Sequence, residues 1–318
     1  MFLVQAVPAP LHADQPAVSA PPPGRIAGLV RIANHARTLT RDAPLSEVKS
    51  FVTRAVLCPR RIAAHLEFVA AFQLHHGLAA TGLRTAIPKP LKPYLTTGCP
   101  LPRRIALLHA HHRASAALPR AILHAVWGAE PLLVAHLTGV RGGHYGLWIE
   151  PAHHTRHEGE IALSFDELDP ATGARMPLGR LTFLLGFDAA SAPILMIGGL
   201  QGPRNAAAKA AIVTATRNLK GLRPKAALFL AAQAIAANCG CTAIHAVSNE
   251  THLINVRKQR ARKRMTADYD AFWLERGGQP DGPLGYKMPL LAPDPKPFRA
   301  DLVAAIAALF SAARAQAA

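Results

Sequence analysis

The chain has 318 residues, of which 50% are hydrophobic and 17% charged, enough to bury a sizeable core and too apolar for an intrinsically disordered polymer. No run approaches the roughly 18 consecutive apolar residues that a membrane span needs, which argues against a membrane-spanning role. The 36 Lys and Arg against 19 Asp and Glu give a formal charge of +17, which attracts polyanions (nucleic acid, anionic lipid or phosphate-bearing ligands) without choosing among them.

In chain order, residues 1–24 read as a disordered, proline-rich arm ending in Ala20-Pro21-Pro22-Pro23-Gly24 and not as a signal peptide, since no basic residue precedes the short apolar patch. Residues 25–140 are expected to be a helical region. Apolar residues at three- and four-residue spacing (Val48, Phe51, Val52, Val56, then Ile62, Leu66, Val69, Phe72) predict helix over 45–75, interrupted at Cys58-Pro59. The prolines at 88, 90 and 93 make the next stretch an extended crossing. Helices are predicted over 102–118 and 120–137.

From residue 141 the pattern changes. Strands are predicted at 145–150, 160–165, 180–187 and 193–197, with turn residues between them, as in an antiparallel meander. Helices follow at 205–219 and 224–238; Pro224 suits the first helical position of the second, and Cys239-Gly240 stops it. A buried strand at 242–247 leads to a further helix from about Glu250. The fold class is therefore α+β: a helical region, an antiparallel sheet packed with helices over 141–292, and a linker and helix over 293–318.

Two glycine-containing turns each precede a predicted helix start. Gly198-Gly199-Leu200-Gln201-Gly202 and Lys220-Gly221-Leu222-Arg223-Pro224-Lys225 could offer free amides, a helix dipole and three cations to a phosphate or carboxylate. The plain alternative is that the glycines permit tight turns and the basic residues face solvent. Ser248 and Asn249 sit where the buried strand should end, as a helix cap or a ligand contact, with His252 one turn later. Residues 257–264, Arg-Lys-Gln-Arg-Ala-Arg-Lys-Arg, are the densest charge run, suited to anionic headgroups or to solvent; Met265, Tyr269, Phe272 and Trp273 beyond it share one helical face and read as core. Sixteen histidines raise the question of a metal, yet His153 and His157 fall outside a helix and Cys239 and Cys241 have no second pair, so no metal is expected. Four scattered cysteines point to a reducing, cytoplasmic setting.

Taken together, Lys89-Pro90-Leu91-Lys92-Pro93-Tyr94-Leu95, residues 104–109, Gly159-Glu160-Ile161-Ala162-Leu163, Leu181-Thr182-Phe183, Ile197-Gly198-Gly199-Leu200-Gln201-Gly202, residues 219–225, Ala246-Val247-Ser248-Asn249 with His252, and Tyr269-Asp270-Ala271-Phe272-Trp273 resemble the bacterial VirK/YbjX family over residues 45–291. That family is linked to virulence and envelope stress, which implies a context and not a reaction. At the level of fold, the order meander, loop, helix, strand, helix is also similar to acyl-CoA-dependent N-acyltransferases. Two departures stand out: the loop has no second glycine, and the helix at 205–219 intervenes.

The acyltransferase likeness implies an acyl-CoA donor whose phosphates meet Gly199, Gln201, Gly202, Lys220, Gly221, Arg223 and Lys225. It also implies a chemistry for which His245, Asn249, His252 and Tyr269 are the candidate bases and donors. The rival expectation is a non-enzymatic basic protein, peripheral to the inner membrane, whose 257–264 run binds anionic lipid or an envelope-associated partner. Nucleic acid ranks last, because no reading motif is present.

Overall fold

The computed structural model describes residues 23–39, 44–128, 130–153, 155–203, 206–256, 268–282, 284–292, 294 and 296–317. The N-terminal arm before residue 23 and the basic run at 257–264, with Met265, lie outside the described residues.

The first half is helical as expected: α1 (Arg25–Leu39), α2 (Leu45–Ala55), α3 (Pro59–His75), α4 (Thr81–Ala86), α5 (Leu101–Ser115) and α6 (Arg120–Trp127). Pro59 opens α3 at its first turn, where a missing amide costs nothing, so the break at Cys58-Pro59 is a new helix start. The proline-rich connector is not wholly extended. Lys89–Leu91 forms a single 3-10 turn, held from below by the Arg104 guanidinium, which donates to the carbonyls of Pro90 and Lys92.

The predicted helix over 120–137 is corrected. Gly128 ends α6, and Leu132–Thr138 is the first strand, β1. Its exposure alternates with period two over Ala135, His136, Leu137 and Thr138, and Pro131 just before it could not lie inside a helix. The sheet thus begins inside the stretch expected to be helical.

The remaining strands are β2 (His144–Pro151), β3 (Ile161–Leu168), β4 (Arg175–Phe187), β5 (Pro193–Gln201), β6 (Ala243–Val247), β7 (Gln279–Asp281) and β8 (Gly285–Met288). They form one sheet in the order β1-β2-β3-β4-β5-β6-β8-β7. Strands β2 to β5 make the expected antiparallel meander, to which the unexpected β1 adds at the edge; β6 lies parallel to β5, and β8 pairs antiparallel with β6 and β7 with β8. The hairpin of β7 and β8 escapes sequence reading because β7 is three exposed residues long.

Between β5 and β6 run α7 (Ala206–Asn218) and α8 (Pro224–Asn238). After β6 come a 3-10 turn at Leu253–Val256, where a longer helix is expected, then α9 (Tyr269–Leu274) and, at the C-terminal end, α10 (Arg299–Ala317). Helix α8 is apolar on nearly every side, as a helix sandwiched between a sheet and another helix must be. It covers the sheet face bearing Leu163, Phe165, Leu181 and Phe183, and α10 closes over it through Leu302, Ile306 and Phe310, four residues apart. On the opposite face Leu108 of α5 packs with Leu184, Met196 and Val247. No helix among the described residues is long and apolar enough to cross a membrane.

The contact of α3 with α5 contains a buried histidine group. His65 Nδ1 lies 3.1 Å from His109 Nε2, and His112 Nδ1 lies 2.6 Å from the Leu108 carbonyl oxygen. Burial is the main cause that depresses them, to about 4 for His65 and His112 and about 3 for His109. An unfolded histidine titrates near 6.5, so the unfolded chain binds more protons than the folded one below that pH. The contribution of these histidines to stability is therefore fully present above pH 6.5 and is withdrawn as pH falls toward about 4. Urea unfolding is expected to lose roughly 2–4 kcal/mol between pH 6.5 and 4.5, and His109→Phe should flatten that slope.

Candidate functional site

The site forms where the parallel pair ends. Strands β5 and β6 pair only from Ile194 with Ala243 to Ile197 with Ala246. Beyond that point β5 continues alone on that side, and its register against β4 slips between Ile197 and Gly199, leaving Gly198 as the extra residue of a bulge. The pair of glycines expected in a turn is thus inside a strand. The reason is close approach: a methyl group on Gly198 would collide with the Glu158 carbonyl oxygen, and one on Gly199 with the Glu158 carboxylate.

Glu158 comes from the loop that joins β2 to β3. Its carboxylate accepts from Gln201 Nε2, 3.0 Å from each oxygen, and its Oε1 stands 3.6 Å from His252 Nε2. His252 Nε2 is 3.3 Å from Tyr269 Oη, and the two rings stack with centroids 4.8 Å apart. The amide of Leu200, in the stretch that β6 no longer flanks, donates to Tyr269 Oη at 3.2 Å. Glu158, Gln201, His252 and Tyr269 therefore form one cluster; the side chain of Glu158 is 12% exposed and that of His252 is 5% exposed.

The tautomer of His252 follows from its other nitrogen. Nδ1 faces the amide of Ile254 at 3.2 Å and must accept from it, so neutral His252 carries its proton on Nε2. Nε2–H then donates toward Tyr269 Oη and Glu158. The Leu200 amide and His252 Nε2–H are both directed at the Tyr269 oxygen, and Glu158 is the carboxylate, and so the proton acceptor, of the group.

Three segments hold the cluster. Residues Tyr94 to Thr97 thread between the Glu158 loop and the turn after β6: the Leu95 amide donates to the His157 carbonyl at 2.8 Å, the Thr97 amide to that of Thr251 at 2.9 Å, and Thr96 bridges to His252. Buried Glu160 accepts from Tyr94 Oη at 2.6 Å and pairs with Lys89 Nζ at 2.7 Å, fixing the base of the loop. Asn249 organises the start of α9. Its Oδ1 accepts from the Tyr269 amide at 2.8 Å, its Nδ2 donates to Asp268 at 2.8 Å, and its own amide donates to Asp270 at 2.9 Å. Asn249 is thus a positioning residue for Tyr269. Asn249→Ala should cost about 1–2 kcal/mol, read as a lowered thermal midpoint with Trp273 fluorescence reporting the loosened α9.

Of the residues singled out from the sequence, Gly199, Gln201, His252, Tyr269 and Asn249 come together here. His245 does not. It lies in the middle of β6, burial lowers it, and the charges it senses are Asp281, Lys287 and Asp188, none of them in the cluster. Lys220 and Gly221, both at positive φ, form the C-terminal cap of α7: the Lys220, Gly221 and Leu222 amides donate to Arg217, Thr216 and Leu219 carbonyls. Those amides are occupied by the cap.

The first turn of α8 presents a different arrangement. It has no side-chain cap, and Lys225 lies beside Gly202, next to Gln201 of the cluster. Phe272 of α9 sits under two cations, Arg276 at 3.8 Å and Lys225 at 5.9 Å from the ring centre. Burial, then the neighbouring Arg276, pushes the Lys225 ammonium below its ordinary value. Arg223 is exposed beside Glu275 at 3.8 Å. Cations and open helix amides meet at this corner.

Sequence reading missed Glu158 as a candidate base, and missed Arg276. The signal for Glu158 was Gly198-Gly199 at a strand end, which marks an approach by another segment. Among the described residues no three His, Cys, Asp or Glu side chains are grouped to hold a metal ion. Cys239 and Cys241 are buried thiols, and burial pushes Cys241 up to about 12.

These features define an α+β protein with an open mixed sheet and a buried Glu-His-Tyr cluster at the point where its parallel strand pair ends. The chain belongs to the family described as "Protein of unknown function (DUF535)", whose model matches residues 45–298. It is 31% identical over 159 residues to "Uncharacterized protein YbjX" of Escherichia coli (strain K12), over 50% of this chain and 46% of that protein, so it spans about half the length of that relative. The VirK/YbjX resemblance read from the motifs is thereby shown. No solved structure matches the chain.

Proposed function

We propose that this protein transfers an acyl group from acyl-CoA to an amine at the Glu158, His252 and Tyr269 cluster. The observation that supports the reading is the placement of a proton acceptor and a hydroxyl donor at the gap where β5 leaves β6, beside a corner of open helix amides and cations. A carboxylate and a phenol in one cluster are the two groups that acyl transfer to an amine requires, a base for the amine and a donor for the departing sulfur.

Lys225, Arg276 and the first amides of α8 are the residues that would hold the donor's phosphates, with Arg223 at the rim. The donor supplies an activated thioester. Glu158 takes a proton from the attacking amine, Tyr269 directs its hydroxyl hydrogen at the sulfur, and His252 holds the tyrosine oxygen in place. Overall a C–N bond forms and the C–S bond breaks; the sulfur takes the tyrosine hydroxyl hydrogen, and the amine proton held on Glu158 is returned to the tyrosine oxygen by way of His252 Nε2, which passes on its own proton and takes the one from Glu158.

Thermal denaturation against acetyl-CoA, a long-chain acyl-CoA, anionic vesicles and heparin tests this reading. A CoA compound should raise the midpoint in the wild type and fail to do so in Lys225→Met. A response to vesicles or heparin alone would instead favour a basic binding protein acting through the 257–264 run.

A further inference from the structure

A second cluster of cations surrounds the turn that precedes Tyr94, apart from the Glu158, His252 and Tyr269 cluster. A cavity of about 290 Å³ opens between α2 and the 3-10 turn, lined by Arg54, Lys92 and Arg156, by the hydroxyls of Ser46 and Ser50, and by a single carboxylate, Glu47. Neither Lys92 nor Arg156 forms an ion pair among the described residues. Three cations facing one carboxylate repel each other. Burial lowers the Lys92 ammonium first, and Arg156 and Arg54 lower it further against the opposing pull of Glu47.

The Arg54 side chain and the backbone that carries Lys92 are held in place. Arg54 Nη1 donates to the Leu91 carbonyl at 3.1 Å, and Arg104 fixes the carbonyls on either side of it, so the turn that carries Lys92 is tied from two helices. Arg54 and the turn bearing Lys92 are thereby braced together, with the exposed Arg156 at the rim of the same cavity. Phe51, Pro88 and Leu91 supply apolar wall beside the charged end.

We propose that this cavity binds a phosphomonoester group, with Arg54, Lys92 and Arg156 as its cationic contacts and Ser46 and Ser50 as hydroxyl donors. The volume, near the lower bound of small-molecule pockets, suits a phosphate with a short attached moiety. Arg156 stands two residues from Glu158 on the same loop, so an occupied cavity also steadies the loop that carries the candidate base.

The test is the thermal midpoint of the full chain at constant ionic strength, with inorganic phosphate replacing chloride, and cosedimentation with phosphatidylcholine vesicles with and without phosphatidic acid. Phosphate should raise the wild-type midpoint by roughly 5 °C at a hundredfold excess over Kd, and Lys209→Gln, an exposed change in the first turn of α7 and outside the cavity lining, should respond alike. Arg156→Gln, an exposed change, and Lys92→Gln/Arg156→Gln should lose the response. Without phosphate the double variant should unfold no lower than the wild type, because repulsion is relieved. Cosedimentation confined to phosphatidic acid vesicles, and lost in the variants, would assign the phosphate to a lipid headgroup; a phosphate response without it would assign a soluble phosphomonoester. Equal responses in all variants, no response in any, or a destabilised double variant in plain buffer would overturn the proposal.

Discussion

Glu158→Gln should lower amine-dependent release of CoA from acyl-CoA by about 10²–10⁴-fold, the range for loss of a positioned general base, with little change in thermal midpoint. The substitution keeps the shape of the side chain and removes its capacity to accept a proton. The strand beneath it requires glycine at 198 and 199 for packing, not for charge, so the fold should tolerate the amide. Chromatographic detection of free CoA is the suitable measurement, since Cys58 and Cys99 are partly accessible thiols and would react with thiol reagents. Tyr269→Phe should show a smaller loss that narrows when the donor carries a better leaving group, because the phenol assists departure of sulfur. Equal turnover by wild type and Glu158→Gln would remove Glu158 from the role of base.

Lys89→Met should cost about 3–5 kcal/mol, the usual penalty for removing one partner of a buried ion pair. Lys89 is 5% exposed and Glu160 8% exposed, and the ammonium also lies 3.3 Å from the Gly159 carbonyl oxygen. Methionine fills the volume and leaves the Glu160 carboxylate with the Tyr94 hydroxyl as a partner and no charge opposite it. Lys89→Met/Glu160→Gln should recover much of the loss, since the amide oxygen still accepts from Tyr94 and no buried charge remains. Urea midpoints of the two single variants and the double measure the coupling. If the single variant were as stable as the wild type, Glu160 would not be the anchor of the Glu158 loop.

Much of the frame was legible in the sequence because its signals are local. Pro224 and Cys239-Gly240 bound α8 at the residues observed, and the run at 242–247, into which that helix leads directly, reads as a buried strand and forms one over Ala243–Val247. The spacing of Leu132, Val134, Ala135 and Leu137 satisfies both a helical and an extended reading, and only pairing with β2 decides it. At the site, His252, Tyr269 and Gln201 were reachable because each flanks a predicted element. Glu158 was not, since a loop glutamate acquires its role by folding onto β5, forty residues away, and no local pattern records that approach. Asn249 shows the converse. Its position after the strand marked it, but its side chain serves the first turn of α9. The glycine turn before Pro224 likewise satisfied the expectation for a phosphate loop by composition, while its amides cap α7.

Calorimetric titration of acyl-CoA into the full chain, beside Lys225→Met/Arg276→Met, tests the account most directly. Binding by the wild type with a Kd of about 1–100 μM, as is ordinary for an enzyme and its substrate, and its loss in the double variant is the predicted result. Absence of heat with the wild type at millimolar acyl-CoA, or undiminished binding by the double variant, would contradict it.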